Sequence, residues 1–293
     1  MVELLSPVGD FECLKAAVQN GADTVYFGAS SFSARAFASN FNDDDLKKAI
    51  TYAKIRGIKT NLTLNTLLKD NEFNDAIKLA EKAYIYGIDA IIVQDLGFAK
   101  YLIENFPGLA VHASTQLSVH NLEGVLKLQE LGFSRVVLSR ELSLPEIEHI
   151  CKNSNVEIEV FVHGALCISY SGQCLFSSMV GGRSGKCAQP CRLPYELTNQ
   201  SETLDKGYLM SPRDLCGLDY LPQLIKAGVS CLKIEGRMKT PEYVATVTRI
   251  YRKYLDLAKS AESNKLYKID VQDKQDLLQV FNRGGFSDGH LSG

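Results

Sequence analysis

The sequence predicts a (β/α)8 TIM-like barrel, and three observations predict it. One local pattern recurs five times, in NGADTVYFG (20–28), RGIKTNLTL (56–64), YGIDAIIVQ (86–94), LGFSRVVLS (131–139) and AGVSCLKIE (227–235): the end of a helix-like stretch, a glycine, then a short β-branched run. Three further strand-like runs, VELLSP (2–7), LAVHAS (109–114) and VEIEVFVH (156–163), bring the strands to eight, and strands alternating with helices fold as right-handed βαβ units. The turn after the first strand, SPVGDFEC, lacks the G-x-G-x-x-G of a dinucleotide-binding open sheet.

Each element has a local reason. The stretches NDDDLKKAITYAKIRG and EFNDAIKLAEKAYIYG place apolar residues three and four apart, which makes one face of a helix. The glycine behind each is a helix C-terminal stop. The strands are short and almost continuously apolar, as strands covered on both faces are. The seventh unit is longer than the rest. Segment 164–212 reads as an insertion at the C-terminal end of strand seven, followed by a helix at 219–227 and strand eight at 231–235. Residues 240–261 form a long closing helix, so the barrel spans 1–261. Residues 262–293 form a C-terminal extension that completes no obvious element and reads as the start of a truncated further segment.

Composition narrows the function classes. Of 293 residues, 45% are hydrophobic and 23% charged, which is ordinary for a globular protein. No apolar run reaches a membrane span, and MVELLSPVGD is not a secretory signal, so a cytoplasmic location without membrane contact is expected. In that compartment disulfides are rare. The net charge of −2 offers no bulk basic character, so any nucleic-acid contact must be local.

The insertion carries Cys167, Cys174, Cys187 and Cys191, spaced C-x6-C-x12-C-x3-C. Only the second pair suits a zinc knuckle. Iron–sulfur clusters also take four thiolates and accept looser spacing, so spacing leaves zinc and a cluster both open. Four unlinked buried thiols are the plain alternative, but a loop rich in Gly, Ser and Arg is a poor place to bury them. The mouth of a barrel is where active sites sit. Cys13 and Cys151 fall in helices, Cys216 at the start of the helical region after the insertion, and Cys231 near the barrel bottom; none of these is a ligand candidate.

The stretch EVFVHGALCISYSGQCLFS resembles the signature of the U32 peptidase family, through Glu159, Phe161, Gly164, Ala165, Leu166, Cys167, Gly172, Cys174 and Ser177, with Phe176 standing where the pattern prefers an aliphatic residue. LLSPVGD, GADTVYFG, KCAQPCR, LKIEGRMKTPEYV and FNRGGF extend the resemblance along the chain. The family name implies a collagenase-like protease. Yet the chain has no H-E-x-x-H helix and no G-x-S-x-G elbow. The resemblance also implies a different chemistry: a [4Fe–4S] cluster on Cys167, Cys174, Cys187 and Cys191, and oxygen-independent hydroxylation of tRNA uridine, rRNA cytidine or a quinone precursor. For the RNA members it implies prephenate as oxygen source, with the electron donor unknown. An RNA hydroxylase is the expected function. A peptidase, or an RNA-binding scaffold whose insertion is ordered by zinc, is the alternative.

Strand alternation nominates the remaining site residues. In strand seven the aliphatic set faces the helices, which turns Glu159 and His163 inward; in strand eight Lys233 and Glu235 turn inward, with Arg237 at the mouth. These charges predict an internal Glu159–Lys233 ion-pair network. A sharper expectation makes His163, Glu235 and Arg237 a catalytic set, with Arg237 gripping a carboxylate or phosphate. VHASTQLSVHN offers Gln116 and His120 as substrate contacts, with His112 deeper in the core. Asn65 is a third substrate-binding candidate, and Asn61, Gln94 and Asp95 are similar strand-end groups. Tyr26 and Arg35 are a candidate platform for a base.

Overall fold

A computed structural model describes residues 2–34, 40–179, 187–199, 202–260 and 267–293. Seven strands succeed one another in parallel register: β1 (Glu3–Pro7), β2 (Thr24–Gly28), β3 (Lys59–Leu64), β4 (Ala90–Val93), β5 (Ala110–Ala113), β6 (Arg135–Val137) and β7 (Glu157–Gly164). Three strands intervene: β8 (Tyr195–Asn199), β9 (Glu202–Gly207) and β10 (Asp214–Cys216). Then β11 (Cys231–Ile234) pairs with both β1 and β7 and closes an eight-stranded parallel barrel. All eight predicted strands are therefore present. The five repeat glycines all adopt positive φ, Gly87 at 88° and Gly228 at 99° among them, so each ends a helix with a turn that a side chain would strain.

Helices α1 (Phe11–Gln19), α2 (Asp43–Ile55), α3 (Asp70–Tyr86), α4 (Leu96–Asn105), α5 (Leu122–Glu130) and α6 (Leu144–Asn153) come after β1 to β6 in turn. Their starts are written in the sequence: Asp10, Asn42, Asp95 and Asn121 each accept an amide hydrogen bond from the first turn, and Ser143 with Glu146 forms a capping box. After the insertion, with its short α7 (Phe176–Met179), come α8 (Leu221–Ala227), the long α9 (Pro241–Lys259) and α10 (Val271–Val280). Val25, Phe27, Leu62, Leu64, Ile91, Val93, Ile158, Val160, Leu232 and Ile234 point outward into one continuous core shared with the helices. The alternate residues fill the barrel. Leu5, Tyr26, Ile92 and Cys231 form a separate small apolar cluster there.

Two expectations about chain organisation change. Cys216 ends a strand rather than opening a helix, because β10 turns back antiparallel on β7 and pairs Cys216 with His163. Residues 262–266 lie outside the described residues, but 267–293 do complete elements: α10 packs on α9, and β12 (Phe286–Ser287) pairs with β10. Asp273 at α10 accepts from the Tyr254 hydroxyl and from Lys253, which fastens this segment to the barrel. The β8–β9 hairpin is mostly exposed and makes its ladder only with itself. Among the described residues, no helix is long and apolar enough to cross a membrane.

Candidate functional site at the barrel mouth

The lower barrel is a charge network, as strand alternation predicted. Glu159 is fully buried; it accepts from Lys233 at 2.7 Å and from Arg135 at 3.4 Å, and Arg135 reaches on to Glu3 at 2.7 Å and to Glu157. Burial pushes the Glu159 carboxyl up, but the charges of Lys233 and Arg135 outweigh it and bring it down to about 2. His112 sits beside this network, buried and neutral, held down to about 3 by burial and by Arg135. The network is a floor: Tyr26 and Phe161 place their rings 4.5 and 5.3 Å from the Lys233 ammonium.

Above it lies a cavity of about 40 Å³ lined by Asn65, Ser114, Gln116, Glu235 and Arg237, together with Tyr26, Phe161, Lys233 and Arg140. Asn65, Gln116, Glu235 and Arg237 are thus where the sequence puts them. Arg237 is buried and donates to the hydroxyls of Ser33 at 2.7 Å and Thr63 at 2.8 Å. Tyr26 also lines the cavity and donates to the Ile234 carbonyl; its expected companion, Arg35, lies outside the described residues.

His163 does not join this set. The β7–β11 register shifts between Lys233 and Ile234, so that Phe161 pairs with Lys233 but His163 pairs with Ile234. The extra residue is a bulge, and a bulge reverses the facing of the residues beyond it. His163 consequently points outward, 3.2 Å from the Tyr251 hydroxyl on α9 and against the Phe286 ring, and burial holds it down to about 3. It lines neither mouth cavity.

Beside the barrel cavity is a second one, of about 100 Å³, and all four insertion cysteines line it. Arg140, Arg192, Gln94 and Gln189 share its wall; among the described residues no aspartate, glutamate or histidine does. Thr115, Gln116 and Arg140 line both cavities, so the two meet at the end of β5 and β6. The cysteine turns are fixed through their neighbours. Arg192 donates to the Leu166 carbonyl next to Cys167, and to Ser211 and Pro212, tying the Cys191 turn to the Cys167 turn. The Cys187 amide donates to the Ala34 carbonyl at 3.1 Å. Tyr195 donates to the Pro190 carbonyl beside Cys191. Burial raises the Cys167 and Cys191 thiols; Arg140 beside Cys167 and Arg192 beside Cys191 work against it, and the other cysteines reinforce it. None of the eight cysteines of the chain is in a disulfide.

His120 supports this arrangement from behind rather than lining either cavity. Its Nε2 lies 3.2 Å from Glu141, whose other oxygen accepts from the amide and hydroxyl of Ser171, between Cys167 and Cys174. Ser118 donates to the Ser171 carbonyl at 2.7 Å. A Cβ on Gly172 would meet the Gln116 carbonyl at 2.5 Å, so only glycine allows the loop to lie this close to the end of β5. Gln94 lines the cysteine cavity, whereas Asp95 caps α4 and accepts from the Leu68 amide. Arg140, Glu141 and Ser171 were not among the predicted site residues.

The family model described as peptidase family U32 matches residues 9–293. The chain belongs to this family. Its U32 relatives carry different names. The chain is 42% identical to the 23S rRNA 5-hydroxycytidine C2501 synthase of Escherichia coli (87% of this chain, 39% of that protein) and 38% identical to tRNA hydroxylation protein P1 of Bacillus subtilis (87% and 63%). It is 40% identical to the uncharacterized protease MJ0090 of Methanocaldococcus jannaschii (97% and 71%). The chain thus spans less than two thirds of both hydroxylation proteins. A solved structure of the U32 peptidase Mk0906 shares the fold, with a TM-score of 0.55 at 14% identity over 80% of this chain and 94% of that one.

Proposed function

We propose that this U32 chain takes part in oxygen-independent hydroxylation of a base in RNA, with a [4Fe–4S] cluster on Cys167, Cys174, Cys187 and Cys191. The carrying observation is the donor set: four thiols and, among the described residues, no carboxylate or imidazole, around one cavity that adjoins a polar pocket at the barrel mouth. Zinc fits less well. It draws its thiolates to within about 2.3 Å of a single point, and among the described residues no three Cys, His, Asp or Glu side chains converge in that way. A cluster spreads its thiolates over a larger frame. The two relatives named for rRNA and tRNA hydroxylation support RNA as the substrate class.

Bound there, a cluster with four thiolate ligands would supply single electrons or order the mouth. The remaining work falls to the chain. Arg140 and Arg192 offset the negative charge of four thiolates. Asn65, Gln116 and Arg237 give the barrel cavity the donors to hold a small acid such as prephenate, and the Glu159 network closes it from below. A peptidase would need a nucleophile beside a base or a water-activating metal; among the described residues neither cavity has a histidine, and His163 is turned away.

The test is nucleoside analysis by mass spectrometry of tRNA and rRNA from cells with and without this protein. A hydroxylated uridine or cytidine that disappears with the protein and with Cys174→Ala supports the reading. Unchanged RNA alongside peptide hydrolysis by the purified protein would replace it with the peptidase.

A further inference from the structure

Arg140 occupies the wall common to the two mouth cavities. It lies just past β6, and its backbone amide donates to Ser171, which fixes its Cα. Its guanidinium stacks on Phe161, 4.2 Å from the ring centroid. Its Nε is buried and has no hydrogen-bond partner, and among the described residues the rest of the guanidinium meets no carboxylate, carbonyl or hydroxyl. Its neighbours are different: Arg135 is held by glutamates, Arg192 by carbonyls and Ser211, and Arg237 by two hydroxyls. A buried donor left unsatisfied is destabilising. A stacked guanidinium with its fork open is the arrangement that takes an anion by two parallel hydrogen bonds.

We propose that Arg140 is the anchor for the carboxylate of a small organic acid, whose apolar body lies in the barrel cavity against Phe161, Ile92 and Tyr26. This deepens the proposed function, since it names the residue and the chemical class through which the mouth holds its acid. A carboxylate is favoured over an RNA phosphate because the cavity beside Arg140 is small, about 40 Å³, and offers Phe161, Tyr26 and Ile92 among otherwise polar lining.

The experiment uses phenylacetate as probe and phenylacetamide as its uncharged counterpart. Binding is measured by calorimetry on anaerobically prepared wild type, Arg140→Ala and Arg140→Lys, with the unfolding temperature of each unliganded protein and its iron content recorded in parallel. The expected result is that phenylacetate binds and phenylacetamide does not, and that Arg140→Ala loses at least about tenfold in affinity. Arg140→Lys, which keeps the charge but not the fork, falls in between, with folding unchanged in both variants. Equal binding by Arg140→Ala would overturn the proposal. So would a loss of iron with unchanged phenylacetate affinity, which would make Arg140 a partner of the cysteine site, or weakened binding of a short RNA oligonucleotide with no effect on phenylacetate. Wild type that contains no iron but binds phenylacetate through Arg140 would sustain this inference while removing the cluster.

Discussion

Ser171 gives both its amide and its hydroxyl to a single oxygen of Glu141, at 3.0 and 3.1 Å, and so fastens the loop between Cys167 and Cys174 to the barrel end of β6. The other Glu141 oxygen faces His120. Hydrogen bonds to a charged acceptor contribute about 1.5–3 kcal/mol. Glu141→Ala is therefore expected to leave the barrel folded but to raise hydrogen exchange across residues 168–173 by one to two orders of magnitude. Unchanged exchange there would mean that Gly172 packing alone holds the loop.

The Glu159 network predicts a large asymmetry between two substitutions. Glu159→Ala strands Lys233 in the barrel, takes one of three carboxylates from Arg135, and should cost about 3–5 kcal/mol in urea unfolding. Glu159→Gln, which retains hydrogen-bonding capacity, should cost less. The acid dependence has a definite sign. A carboxyl lowered from 4.5 to about 2 on folding stabilises the protein fully above 4.5, and that contribution is lost as pH falls towards 2. The variants should lack this component.

His163 acts at higher pH. It is neutral in its buried site and is protonated near 6.5 once unfolded, so it favours the folded state above that pH and opposes it as pH falls from 6.5 towards 3. Wild type should lose about 2 kcal/mol per such histidine between pH 6.5 and 5. His163→Phe, which keeps a ring among Tyr243, Tyr251 and Phe286, should flatten the profile by that amount, leaving the slope from His112. Identical slopes would show that His163 titrates normally.

The barrel was legible because its signals are local. A glycine stop, a β-branched run and an N-cap each act within a few residues, and the repeating units carry these signals in order. Glu159 and Lys233 came from alternation, which holds while strand pairing stays in register. His163 was misplaced because the bulge at the β7–β11 seam is set by a pairing partner some seventy residues away. The β10–β12 pairing escaped notice for the same reason. His120 was correctly placed near the mouth but one layer too far forward, since Glu141 stands in front of it. Arg140 left no trace in the sequence: its significance lies in partners it does not have, and a motif cannot record that.

The proposed function turns on whether the four cysteines of the insertion hold one iron–sulfur cluster. Anaerobic purification, with iron, sulfide and zinc quantified beside the visible spectrum, tests it most directly, using wild type, Cys174→Ala and Cys231→Ala. Wild type should carry about four irons and four sulfides per chain, lost in Cys174→Ala and retained in Cys231→Ala, whose thiol is buried in the barrel floor. Stoichiometric zinc without iron, or no metal at all under these conditions, would contradict it.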